Sequence, residues 1–142
     1  MNPKDTRGYL LKSKSNEWET PKELYRALDN IFHFDFDPCP VNPAFDGLNE
    51  EWGGRNYVNP PYDQLAQWIR KAYSEASKGK LVVMLIPSRT DTKAFHEYIF
   101  GKAQILYLRG QLKFSLKGRE AAAPFSSMIA IFCGGLREWI SL

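Results

Sequence analysis

The chain has 142 residues, 44% of them hydrophobic and 25% charged, which is enough for one domain with one core. No apolar run approaches the roughly 20 residues of a membrane span, and the polar N-terminus lacks a signal-peptide core. Two distant cysteines, Cys39 and Cys133, make neither a disulfide framework nor a metal cluster, so a reducing cytoplasm without a structural metal fits best. The net charge of +3 is mild but unevenly spread: residues 29–63 hold seven acids and one base, and residues 101–120 hold five bases and one acid. A polyanion bound off one face fits that distribution.

Residues 1–15 show no lasting period and carry Lys4, Arg7, Lys12 and Lys14, so they read as a loose basic arm. Residues 16–142 read as a single domain. Thr20-Pro21-Lys22-Glu23 predicts a helix start: Thr as N-cap, Pro in the first helical position and Glu three residues on as a capping box. Leu24, Leu28, Ile31 and Phe32 continue it at helical spacing. Phe34-Asp35-Phe36-Asp37 alternates as a short strand does, and Pro38-Cys39-Pro40 stops it. Residues 40–54 read as an irregular loop and 55–58 as a strand. Asp63 is a good N-cap for the next helix, whose stripe runs Leu65, Trp68, Ile69, Ala72, Tyr73, Ala76 and ends at Gly79.

Leu81 to Ile86 is a continuous apolar run of strand length, expected at the centre of a sheet. Pro87-Ser88-Arg89 leaves its carboxyl end, and a helix is expected over about 92–100. Strands at 104–108 and 112–115 follow, then a basic loop with Lys117, Gly118 and Arg119, and a last strand over 128–133. The alternation predicts an α/β fold with a mostly parallel sheet. The last strand, with no long helix before it, is expected antiparallel at or near the edge.

Asn59-Pro60-Pro61-Tyr62 sits between the 55–58 strand and the next helix, where open α/β sheets bind ligands. The prolines stiffen the turn and remove two N–H donors, leaving carbonyls free to accept. Asn59 adds a side-chain carbonyl, and Tyr62 adds a flat ring. Converging acceptors beside an aromatic face suit an exocyclic amine on a planar base or a planar amide. Two further strand or helix ends join this turn. Asp37 can accept several hydrogen bonds from a cationic or hydroxylated ligand, and the Thr20 helix start offers N–H groups to a carboxylate. That pairing suits a zwitterionic amino-acid moiety.

These stretches together resemble the phage-type, Dam-like DNA adenine-N6 methyltransferases. The matching pieces are Glu17-Trp18-Glu19-Thr20-Pro21, Phe34 to Cys39, Asp46-Gly47-Leu48 with Trp52, Asn59 to Tyr62, Met84 to Thr92, and Gly110 to Phe114, in one order over about 16–133. The resemblance implies a Rossmann-like core that transfers a methyl group from S-adenosylmethionine to adenine in double-stranded DNA, in the cytoplasm of a bacterial host. It implies that Asn59 and the Pro60 carbonyl hold the amino group, within the turn that Pro61 stiffens. Tyr62 would then stack on a flipped base. Trp18, Thr20, Pro21, Asp37 and Cys39 would line the cofactor pocket, with Asp46 and Leu48 toward its adenosine end. Arg89, Lys113, Lys117 and Arg119 are the expected DNA contacts.

The chain also departs from the broader methyltransferases. Pro38-Cys39-Pro40 stands where a glycine loop is usual, and only 22 positions separate Asp37 from Asn59, which truncates the core. No separate target-recognition domain is visible, so sequence choice falls to loops, the basic arm or a second subunit, and a homodimer is one expected partner. Two alternatives stay open: transfer to an RNA amine or protein amide, and a DNA-binding protein of this fold without turnover.

Overall fold

The structure, a computed structural model, describes residues 19–134 except positions 42 and 117. The expected basic arm, Trp18 and Lys117 lie outside the described residues. The helices are α1 (Lys22–Phe32) and α2 (Leu65–Ala76). The strands are β1 (Arg55–Val58), β2 (Leu81–Pro87), β3 (Gln104–Tyr107), β4 (Lys113–Leu116), β5 (Arg119–Ala122) and β6 (Ser127–Cys133). The expected helix over 92–100 is tighter in span and wider in turn. It is a π-helical segment, Phe95–Ile99, in which the Phe100 N–H reaches the Phe95 carbonyl at 2.8 Å.

The main sheet has the order β1-β2-β6-β3. β1 pairs parallel with β2, as crossover by α2 requires. β6 pairs antiparallel with both β2 and β3. The sheet is therefore not mostly parallel by pairing; the last strand is antiparallel as expected and lies one strand in from the edge, between β2 and β3. β1, β2 and β3 do share one direction, as their helical crossovers demand, but β6 returns between β2 and β3. Its apolar run of Met128, Ile129, Ala130, Ile131 and Phe132 is buried on both faces, which suits a central position. The predicted strand at 34–37 is reduced to a bridge from Phe36 to Asn56 beside β1.

Alternation along β2 assigns the two faces of the sheet. Val82, Met84 and Ile86 pack with Trp68, Ile69 and Ala72 of α2 and with Phe95 and Ile99. Leu81, Val83 and Leu85 pack in one cluster with Leu28 of α1, Tyr57, Tyr62 and Phe114. Phe114, 1% exposed, anchors the separate β4–β5 hairpin to the α1 face.

Two expected caps are absent. α1 begins at Lys22 with Pro21 as N-cap and no side-chain cap, so Thr20 does not cap it and the predicted capping box does not form. Asp63 does not cap α2; Tyr62–Gln64 forms a 3₁₀ turn and the helix begins at Leu65 after Gln64. Two consecutive prolines deliver the chain in an extended conformation, with Pro61 at ψ 139°, and the tighter turn absorbs the change of direction. Gly79, at φ +92°, ends the turn after α2 as its sequence position predicts.

Near that end, the inaccessible Glu75 carboxylate meets Lys80 at 2.6 Å, Lys71 at 2.9 Å and Lys78 at 3.4 Å. Burial alone would raise its pKa, but the hydrogen bonds from Lys80 and the other lysines outweigh that and lower it to about 2. Lys80 also donates to the Trp52 carbonyl at 2.7 Å, tying the loop before β1 to the start of β2.

Candidate functional site

Register puts the functional stretches at one end of the sheet. Asn59 follows the last residue of β1, and Ser88-Arg89 follows the last residue of β2. Because β6 is antiparallel, with Pro87 paired to Ser127, the start of β6 lies at that same end. The Leu108 N–H reaches the Ser127 carbonyl at 3.0 Å, so the segment entering the β4–β5 hairpin leaves from there too. This is the carboxyl end of the strands sharing one direction, where ligands of open α/β sheets bind.

A cavity of about 250 Å³ opens there. It is lined by Glu19, Thr20, Lys22, Tyr25 and Arg26 from the entry to α1 and its first turns, by Asp37, Cys39 and Val41, and by Tyr57 and Asn59 of β1 and its turn. Four predicted site residues from three separate stretches thus meet: Thr20, Asp37, Cys39 and Asn59. Pro21 lines a neighbouring groove instead, together with Lys22, Glu23, Lys113 and Glu120.

Sequence reasoning missed Glu19, Lys22, Tyr25, Arg26, Val41 and Tyr57, of which Tyr57 is the most buried. It is 3% exposed and stands 5.1 Å from Tyr25, edge-on, and 5.4 Å from Phe34. Its hydroxyl is 2.6 Å from Thr20 Oγ1. That bond occupies the hydroxyl expected to cap α1. Alternation along the 55–58 strand places residue 57 opposite its neighbours, but which face is the site was not visible without α1. Burial holds the Tyr57 phenol well above its ordinary pKa, and the Tyr25 phenol is raised for the same leading reason.

Asp37 ends the fragmentary Phe36 strand. Its Oδ1 accepts the Cys39 N–H at 2.9 Å, a local turn that directs the carboxylate back on its own loop. Burial pushes its pKa from 3.8 up to about 6, against the lowering effect of that N–H. Burial and the neighbouring Asp37 charge push the Cys39 thiol up to about 12, so it is a neutral wall rather than a nucleophile.

Asp46 and Leu48 do not line the cavity. Asp46 is exposed and organises its own turn, Oδ1 accepting the Leu48 N–H at 3.0 Å and Oδ2 the Asn49 side-chain amide at 2.6 Å. Between them Gly47 packs so closely that a Cβ there would lie 1.9 Å from the Pro38 carbonyl oxygen. This loop therefore supports the Pro38-Cys39 wall from behind.

Tyr62 does not line the cavity either. It is 8% exposed and meets Phe125 edge-on at 5.1 Å. The Arg89 guanidinium stands 6.0 Å from the Phe125 ring centre. Burial raises the Tyr62 phenol pKa, and the opposing pull of the Arg89 charge is the smaller effect. Phe125 lies just before β6, and its partnership with Tyr62 follows from the antiparallel entry of that strand. Lys113 and Arg119 are exposed on the hairpin. Among the described residues no cluster of His, Cys, Asp and Glu could hold a metal ion, and no helix is long and apolar enough to cross a membrane.

The chain is similar to known proteins. A DNA N-6-adenine-methyltransferase of Escherichia phage T1 is 25% identical over 118 residues, which cover 74% of this chain and 50% of that protein. The chain thus spans about half the length of this curated relative. The family described as DNA N-6-adenine-methyltransferase (Dam) matches residues 7–138, a span that takes in the Asp37 turn, the Asn59 turn and the strand that returns between β2 and β3. By that match over most of its length, the chain belongs to the DNA N-6-adenine-methyltransferase (Dam) family.

Proposed function

We propose that the chain is an S-adenosylmethionine-dependent methyltransferase with a truncated Rossmann-like core, acting on the N6 amino group of adenine in DNA. The observation that carries this reading is the meeting of Asn59 with Thr20, Asp37 and Cys39 in one cavity at the strand ends. The lining suits the cofactor. Asp37 is a half-buried carboxylate with acceptor capacity left for an ammonium or ribose hydroxyl, and Tyr25, Cys39 and Val41 supply apolar wall. Thr20, Asp37 and Cys39 would hold it, with Trp18, Pro21, Asp46 and Leu48 as outer candidates. The cofactor would supply an electrophilic methyl group.

The chain's own residues would do the rest. The adenine must leave the duplex stack, which costs a few kcal/mol, and stacking on Tyr62 would offset about 1–3 kcal/mol of that. Asn59 and the Pro60 carbonyl would accept hydrogen bonds from the amine, favour a pyramidal nitrogen and localise its lone pair. The same acceptors would stabilise positive charge as it develops, a preorganised electrostatic effect. Arg89, Lys113, Lys117 and Arg119 would hold the phosphate backbone.

Single-turnover transfer of labelled methyl to duplex DNA, RNA and protein tests the reading. The expected acceptor is DNA, and Asn59→Ala is expected to slow the chemical step about 10²–10³-fold with unchanged cofactor affinity. Cofactor binding without transfer to any acceptor would make the chain a binding protein of this fold. A full rate in Asn59→Ala would reduce the turn to a structural role.

A further inference from the structure

The cavity carries charge of both signs. Its acids are the half-buried Asp37 and the exposed Glu19. Lys22 and Arg26, one helical turn apart on α1, also line it, and both are exposed. Neither side chain makes a hydrogen bond or ion pair with another described residue. By contrast, Lys71, Lys78 and Lys80 all close on Glu75, and Lys93 pairs with Glu97. Two cations without an ion-pair partner among the described residues therefore border a concave site that also holds the half-buried Asp37.

A neutral nucleoside would need neither charge. A zwitterion needs both, with its ammonium toward the acid and its carboxylate toward the bases. The guanidinium fork matches a carboxylate in geometry. Lys22 also lines the neighbouring groove, whose lining does not include Arg26. We infer that Arg26, assisted by Lys22, binds the carboxylate at the amino-acid end of the ligand held in this cavity. The inference rests on the cofactor reading proposed above. It also gives the carboxylate side-chain partners besides the N–H groups at the start of α1.

The probes are S-adenosylmethionine and its decarboxylated analogue, which differ only in that carboxylate, titrated calorimetrically against the full chain. Wild type is expected to prefer S-adenosylmethionine by about 10–100-fold, the range for a charge-assisted hydrogen bond. Arg26→Ala, and more fully Lys22→Ala with Arg26→Ala, should bring its affinity down to that of the analogue, whose own binding stays unchanged. Arg26→Lys should restore part of the preference.

Equal binding of both probes by wild type would overturn the inference while leaving the cofactor reading intact. So would an equal loss for both probes in Arg26→Ala, which would mark a structural role. A preference that survives in the double variant while DNA affinity falls would assign the two bases to phosphate and overturn it as well. Binding of neither probe by wild type would instead remove the cofactor reading, and this inference with it.

Discussion

The Thr20 hydroxyl and the Tyr57 hydroxyl lie 2.6 Å apart, joining the entry to α1 to the strand that presents Asn59. The two ends of the bond are not equivalent. Tyr57 is buried, whereas Thr20 is half-buried at the cavity wall. Thr20→Val leaves a buried phenol without its partner and is expected to cost about 1–3 kcal/mol. Tyr57→Phe leaves a hydroxyl that water in the cavity can reach and is expected to cost about 0.5–1.5 kcal/mol. Urea denaturation of both variants and the double variant measures the coupling. Equal losses would show that the phenol finds another partner.

Asp37 makes the site pH-dependent. Its folded pKa of about 6 lies above the ordinary 3.8, so the folded protein holds the proton more tightly than the unfolded chain. Its contribution to stability is full below pH 3.8 and is lost as pH rises through about 6. Asp37→Asn should therefore stabilise the protein above pH 6 and change little below pH 3.8. Cofactor binding should show the opposite trend. A cationic ammonium needs the ionised carboxylate, so affinity should fall as pH drops below about 6. Asp37→Ala should bind weakly at every pH. Calorimetry from pH 5 to 8 checks this, and a flat wild-type profile would take Asp37 out of the ligand site.

Tyr62 and Phe125 meet edge-on at 5.1 Å, which covers Tyr62 in this arrangement. A base stacked on Tyr62 would have to take the place of Phe125 against that ring. Tyr62→Phe keeps the ring and should be nearly silent. Tyr62→Ala should weaken capture of an extruded base by an amount matching about 1–3 kcal/mol. Phe125→Ala should alter base capture with no change in cofactor affinity. Fluorescence of a 2-aminopurine at the target position reads flipping directly. Equal damage from Tyr62→Phe and Tyr62→Ala would mean that the hydroxyl, not the ring face, matters.

Lys113 and Arg119 are exposed on the β4–β5 hairpin, and Arg89 is exposed beside Phe125 at the strand ends. Neutralising each should lower the slope of log affinity for duplex DNA against log salt by about 0.9 for every phosphate that is no longer paired with a base. Glu120 and Glu23 line the groove with Lys113, so the slope reads phosphate pairing better than affinity alone does. Filter binding from 50 to 200 mM salt measures it. An unchanged slope in the triple variant would move the DNA face away from the hairpin.

Local chemistry made much of the chain legible. The α2 stripe, the buried β2 run, the Gly79 stop and the Asn59 turn between β1 and a helix all depend on residues near one another in sequence. The ends at Thr20, Asp37 and Asn59 were legible too, because ends gather in α/β folds, whereas Cys39 was a candidate through the family resemblance. Three outcomes belonged to tertiary structure. Thr20 resembles an N-cap by sequence, but a Tyr57 hydroxyl 37 residues away took its hydrogen bond. The strand at 34–37 kept only one bridge to β1. Above all, β6 has the same apolar pattern whether it lies at an edge or in the centre. Long-range pairing with β2 and β3 decided its place, whereas its antiparallel direction was expected from the lack of a long helix before it. That reversal sets Phe125 against Tyr62 and brings the hairpin to the ligand end, neither of which a period of two or of 3.6 can encode.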